Sequence, residues 1–163
     1  LENSENSLPV LVMGGSPTFP CHAKYNDVFL SPGTLFINDN GYSTRFPDLD
    51  FIPAAAIMTR VISRPEKGLF TLDLGYKGIA SDSPAENRGI IVEFPDAKPV
   101  IHSEEHWVFS LAEEKIPPIG TVLYVIPTHI CPTTALYNQV LVASNSKLIN
   151  TWTVDARNRK LTL

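Results

Sequence analysis

Fourteen prolines are scattered through the 163 residues of this chain, and they leave little room for a long helix. Proline lacks an amide donor and its ring clashes with the preceding turn, so an interior proline costs a helix about 3 kcal/mol or more. Breakers recur at Pro32-Gly33, Asn40-Gly41, Pro65, Pro117-Pro118 and Asn145-Ser146. Between them lie short segments rich in Val, Ile, Leu, Phe, Tyr and Thr, side chains that suit a pleated, half-buried surface. Strands are expected at Pro9 to Met13, Val28 to Leu30, Thr34 to Asn38, Ala54 to Ser63 and Leu69 to Leu74. Further strands are expected at Gly89 to Phe94, His106 to Leu111, Thr121 to Ile126, Gln139 to Ala143 and Ile149 to Val154. One short helical turn is expected after Cys131, with Pro132 at its first position and Thr133 to Tyr137 following. Many short strands with regular breaks indicate an all-β fold, a mostly antiparallel β-barrel or sandwich.

Composition narrows the function. The length suffices for one domain with a real core. Net charge is −4 and charged residues are 18%, so no basic surface points to nucleic acid. No apolar run approaches the roughly 20 residues of a membrane span. The polar, acidic start Leu1-Glu2-Asn3-Ser4-Glu5-Asn6-Ser7 does not read as a signal peptide. With no initiator methionine, the chain reads as a piece of a longer one. Two cysteines, Cys21 and Cys131, are too few for a disulfide scaffold, and a cytoplasmic location with reduced thiols is expected.

Two segments carry chemistry. In Pro127-Thr128-His129-Ile130-Cys131-Pro132-Thr133 an imidazole and a thiol stand two residues apart, directly after the apolar run Val122 to Ile126. If strand geometry persists past that run, both side chains point the same way. Imidazole and thiolate together suit zinc better than magnesium or calcium. On spacing alone, a surface histidine beside a buried free cysteine is the simpler reading. Near the start, Pro9 to Met13 runs straight into Gly14-Gly15-Ser16-Pro17-Thr18. Glycines admit a ligand close to the backbone, and consecutive N–H groups with hydroxyls suit a phosphate. A strand ending in such a loop is also how βα barrels build their catalytic face. An ordinary tight turn has the same composition.

Taken together, these pieces resemble the C-terminal part of the D-threonine aldolase and D-serine dehydratase family. The resemblance rests on Gly14 to Thr18, Pro32 to Asp39, Thr59 to Pro65 and Leu72 to Asp82. It continues in Ser103 to His106, His129 to Thr133 and Trp152 to Arg157. Each motif alone is modest, and their order and spacing make the match specific. The resemblance implies a pyridoxal-phosphate enzyme of the alanine-racemase fold type. Its TIM-type barrel, with the Schiff-base lysine, would precede this chain. Residues 1–20 would be the remnant of that barrel, with Gly14, Gly15, Ser16 and Thr18 binding the cofactor phosphate. Residues 21–163 would be the β domain, with His129 and Cys131 as the metal pair. A cysteine at the second position favours Zn2+ over Mn2+ or Mg2+.

Pyridoxal phosphate drains electrons from the α-carbon of an amino acid. A 3-hydroxy amino acid can then lose its α-proton and β-hydroxyl, or break its Cα–Cβ bond. A Lewis acid at the β-hydroxyl assists either route, so the metal pair does not choose between dehydratase and aldolase. His106 is the candidate catalytic base. Tyr76 and Asp82 are minor pocket candidates. Lys77 is not the Schiff-base lysine, which belongs to the barrel. Asp39 reads as a turn cap, Cys21 as a structural thiol, and His22 and His102 as surface residues. The expected substrate is a small D-amino acid, the expected complete enzyme a homodimer, and this chain alone inactive. Two readings remain beside this one: a stand-alone β-barrel binding module, and a fragment of a metal-free amino acid racemase.

Overall fold

The computed structural model describes residues 9–158 and 160–162. The first eight residues of the expected barrel remnant therefore lie outside the described residues. The elements run β1 (Leu11–Met13), α1 (Phe19–His22), β2 (Val28–Leu30), α2 (Asn40–Arg45), β3 (Ile57–Ser63) and β4 (Leu69–Leu72). They continue with β5 (Gly89–Ile91), β6 (Lys98–His102), β7 (Trp107–Ser110), β8 (Val122–Pro127), α3 (Ile130–Thr134), β9 (Gln139–Ser144) and β10 (Lys147–Thr153).

Six strands form one antiparallel sheet, in the order β5-β8-β3-β4-β7-β6, curled into a half-barrel. The all-β, mostly antiparallel fold expected from the sequence is thus what forms. Alternation explains its core. On β8, Leu123 and Val125 point inward while Val122 and Tyr124 face out; on β3, Thr59 and Val61 are buried between exposed Met58, Arg60 and Ile62. Phe70, Leu72, Ile91, Trp107 and Phe109 complete the concave face, closed from above by Leu74 and Ile79. Trp107 and Phe109 pack at 4.7 Å between ring centroids, and Phe70 stacks on Phe109 at 5.7 Å.

Two small sheets flank this core. β1 and β2 pair in parallel, in register Leu11↔Val28, and Val12 and Phe29 are more than half exposed. Parallel strands need a crossover, supplied here by the segment carrying α1. β9 and β10 form a hairpin whose turn, Asn145-Ser146, has both φ angles positive, at 49° and 59°. That geometry matches the right-handed twist of the paired strands. Its apolar residues Leu141, Leu148, Ile149 and Trp152 are exposed.

Several local expectations are corrected. Thr34 to Asn38 is not a strand: Thr34–Phe36 is a 3₁₀ turn, and Asn38 then takes a left-handed φ of 51°. Asn40-Gly41 is not a break but the start of α2, because Asp39 caps it by accepting from the Tyr42 N–H at 2.8 Å. β6 is an additional strand that holds Pro99, which a sheet edge and a bulge tolerate. The helix near Cys131 starts earlier than expected, at Ile130, with Pro132 in its first turn, where an amide has no partner to lose. Cys21 and Cys131 are both exposed free thiols, so neither is a buried structural cysteine.

Candidate functional site

β8 ends at Pro127, and the chain leaves the sheet through buried Thr128 into α3. His129 is the N-cap residue of that helix and Cys131 lies in its first turn. Strand alternation therefore does not bring this pair together; helix entry places both side chains. Asp39, only 2% exposed, fixes the entry. One of its carboxylate oxygens caps α2, and the other accepts the Ile130 N–H at 3.0 Å. The Gly41 N–H donates to the Thr128 carbonyl at 3.0 Å, and a Cβ on Gly41 would stand 2.3 Å from that oxygen. Only glycine permits α2 to approach this loop so closely.

The His129 ring meets Asp82 through Nδ1, 2.5 Å from Oδ2, with both side chains a little under half exposed. The hydrogen bond from His129, more than any other influence, holds the Asp82 carboxyl below its ordinary value. A carboxylate can only accept, so Nδ1 is the donor in this contact, which in the neutral ring leaves Nε2 without a proton. The Cys131 Sγ lies 3.1 Å from the Thr34 hydroxyl. Thr34 stands in the 3₁₀ turn whose Gly33 and Leu35 N–H groups both donate to the Ser16 hydroxyl, at 3.3 and 3.1 Å. The Gly14-Gly15-Ser16 segment and the His129–Cys131 segment are thus joined through Thr34.

The expected phosphate loop is partly committed to internal hydrogen bonds. Gly14 has a φ of +70°, and a Cβ there would press on the Phe19 backbone. Its carbonyl accepts from the Ser31 hydroxyl at 2.7 Å. The Gly15 carbonyl accepts from the N–H groups of Thr18 and Phe19. Ser16 is buried with its oxygen facing two backbone donors, whereas Gly15 and Thr18 are exposed and the Thr18 hydroxyl makes no cap bond.

The loop from Gly75 to Ser83 carries Tyr76 and Asp82, the minor pocket candidates. Three clamps hold it. Tyr137 donates its hydroxyl to the Gly78 carbonyl at 2.7 Å, and the Ala80 N–H donates to Thr133 Oγ1 at 3.1 Å. Arg88 donates to the Ser83 and Ser81 carbonyls at 2.9 and 3.1 Å. The third arm of that guanidinium donates to His102 Nδ1 at 2.8 Å. His102 is therefore not the surface residue expected: it is half-buried and stacked on Trp107 at 4.2 Å. Burial first, and the Arg88 charge second, push its pKa down to about 4. The neutral ring carries its proton on Nε2, which is buried against the Leu74 and Gly75 backbone without a well-formed hydrogen bond.

His106 is exposed in the turn before β7, and its carbonyl accepts the Ser103 N–H. Among the described residues no hydrogen bond or ion pair joins its ring to His129, Cys131 or Asp82. Lys77 is held by Glu104 and Glu105 at 2.9 and 2.8 Å, and those contacts raise its pKa. Among the described residues no group of three or more His, Cys, Asp or Glu side chains is placed to hold a metal ion, and His129 and Cys131 stand two positions apart at the start of α3. The donor set fits a borderline-soft metal with open positions: an imidazole already oriented by a carboxylate, and a thiol. No helix among the described residues is long and apolar enough to cross a membrane.

Comparison with known proteins gives the chain its family. Residues 54–143 match the family described as "Putative serine dehydratase domain". An uncharacterised protein of Mycobacterium tuberculosis (strain H37Rv) is 35% identical over 115 residues, covering 69% of this chain and 86% of its own. The match to an uncharacterised protein of Mycobacterium bovis is the same in extent. In three dimensions, D-threonine aldolase from Filomicrobium marinum superposes with a TM-score of 0.81 at 21% identity, over 91% of this chain and 41% of that one. D-threo-3-hydroxyaspartate dehydratase from Delftia sp. HT23 gives 0.71 at 19% identity, over 89% of this chain and 44% of that one. Two further forms of that dehydratase carry alanine for a histidine and for a cysteine two positions later, the second solved in the metal-free form. This chain spans about two fifths of the length of those solved structures. With more than half of its residues matched and a relative at 35% identity, the chain belongs to the serine dehydratase domain family.

Proposed function

We propose that this chain is the metal-bearing β domain of a pyridoxal-phosphate lyase acting on D-3-hydroxy amino acids. The observation that carries the reading is the His129–Ile130–Cys131 segment itself, with Asp82 on His129 Nδ1 and the thiol in the first turn of α3. The histidine and cysteine replaced in the dehydratase have the same spacing, and the cysteine variant's metal-free form supports a metal at that pair. His129 Nε2 and Cys131 Sγ would hold the metal, and the thiolate favours zinc over manganese or magnesium. When bound, pyridoxal phosphate withdraws electrons from the α-carbon, and the metal acts as a Lewis acid at the β-hydroxyl.

The remaining roles belong to the chain's own residues. Asp82 keeps the Nδ1 proton in place, so His129 presents one lone pair in one direction. Thr34 accompanies the Cys131 thiol, and Ser16 fixes the turn that carries Thr34. Gly15 and Thr18, exposed at the end of β1, are the part of the loop open to a phosphate. His106, exposed in the turn before β7, is the candidate general base. The parallel β1–β2 pair, with exposed Val12 and Phe29, supports continuation into a βα barrel bearing the Schiff-base lysine. A stand-alone β module has no use for such a pair. A homodimeric, cytoplasmic enzyme completes the proposal.

The test is product analysis with the full-length enzyme. D-serine should give pyruvate and ammonia, or D-threonine should give glycine and acetaldehyde or 2-oxobutyrate and ammonia. L-isomers consumed as fast as D-isomers, or activity surviving loss of both His129 and Cys131, would overturn the assignment.

A further inference from the structure

We propose that Asp82 is a positioning residue for His129, and that Arg88 and α3 hold its loop so that the ring always offers Nε2 outward. The proposal rests on the reading of His129 as a metal ligand and names what makes it a competent one. A neutral imidazole free in water prefers its proton on Nε2, which would block that atom. The Asp82 carboxylate, 2.5 Å from Nδ1, reverses the preference, because it accepts and cannot donate.

Both partners of this contact are fixed to each other by more than the contact itself. On the Asp82 side, the carbonyls immediately before and after it, of Ser81 and Ser83, accept from one guanidinium, that of Arg88. These two bonds fix the backbone on either side of Asp82. Arg88 is anchored in turn by His102, and His102 by its stacking on the buried Trp107 ring. On the His129 side, the Thr133 hydroxyl donates to the His129 carbonyl at 2.7 Å and accepts the Ala80 N–H at 3.1 Å. One side chain therefore ties the histidine's backbone to the loop that carries Asp82. A surface ion pair without such bracing would be free to exchange partners with water. Here the path from core to ligand is continuous: Trp107, His102, Arg88, the Ser81 and Ser83 carbonyls, Asp82, His129. Carboxylates in this place on a metal-bound histidine set its tautomer and orientation, and losing one weakens metal affinity by roughly 10- to 100-fold.

The experiment reads the tautomer directly and without metal. The 163-residue chain is labelled with ¹⁵N at its four histidines, and long-range ¹H–¹⁵N correlation is recorded at mildly alkaline pH. In the wild type, His129 should be protonated at Nδ1. In Asp82→Ala it should switch to Nε2, with the backbone spectrum showing an intact fold. Arg88→Lys keeps the charge and loses the fork, so it should give a mixture of the two. A His129 tautomer identical in wild type and Asp82→Ala overturns the proposal. Zinc affinity, measured by competition with a chromophoric chelator, should fall at least about tenfold in Asp82→Ala. A change within about twofold also overturns it. Failure of the wild-type chain to bind zinc would count against the metal reading, and the tautomer would still decide the role of Asp82.

Discussion

Asp39→Ala tests how the fold builds the entry to the site. The carboxylate is buried and accepts two backbone N–H groups, Tyr42 at 2.8 Å and Ile130 at 3.0 Å. Loss of the helix cap on α2 costs about 1 kcal/mol. Loss of a charge-assisted bond to the Ile130 amide, which the side chain leaves buried, costs about 2 kcal/mol more. The variant should therefore be destabilised by about 3 kcal/mol in urea unfolding, a shift in midpoint of about 1.5 M if the slope is about 2 kcal/mol per M. Asp39→Asn keeps one acceptor oxygen and should lose about half as much. The His129 resonances should move in both variants, because Ile130 is the next residue. A loss below about 1 kcal/mol in Asp39→Ala, with unshifted His129 signals, would refute the idea that this carboxylate joins α2 to α3.

Other consequences can be checked alongside. Gly41→Ala places a Cβ against the Thr128 carbonyl and should cost about 2 kcal/mol or more in thermal unfolding, while Gly33→Ala, with nothing within 4 Å, should stay within about 0.5 kcal/mol. The His102 pKa is depressed from 6.5 to about 4 in the folded chain, so the unfolded chain binds the extra proton in that window. Stability should be fully present above pH 6.5 and decline as pH falls toward 4, and His102→Phe should flatten that slope in urea titrations. In the full-length enzyme, EDTA should abolish turnover and zinc restore it, and Cys131→Asp should move the metal preference toward manganese. The 163-residue chain by itself should fold with a β-rich circular dichroism spectrum and should not consume D-serine or D-threonine.

The period-two runs were readable because the core is one sheet face. Leu123 and Val125 alternate with Val122 and Tyr124, and the sequence alone assigns them sides. The Asp39 cap was legible as a polar residue at a segment boundary, but not its second bond to Ile130, 91 positions away. His129 and Cys131 stood out by spacing, yet for the wrong geometric reason, since β8 ends at Pro127, four residues short of where the strand argument needed it. The contacts of Arg88, His102 and Thr34 were not legible. Each acts through a partner set by tertiary packing: His102 by Trp107, Arg88 by two carbonyls, Thr34 by a cysteine 97 residues later. The 3₁₀ turn at Thr34–Phe36 has strand-like composition, and only the Ser16 hydroxyl shows why it curls.

The central claim is that His129 and Cys131 hold a metal together. Zinc K-edge X-ray absorption on the zinc-loaded chain tests it most directly. The account expects one sulfur at about 2.3 Å with nitrogen and oxygen neighbours at about 2.0–2.1 Å, the sulfur vanishing in Cys131→Ala and the imidazole signature in His129→Ala. A wild-type spectrum with oxygen and nitrogen neighbours only, unchanged in both variants, would contradict it.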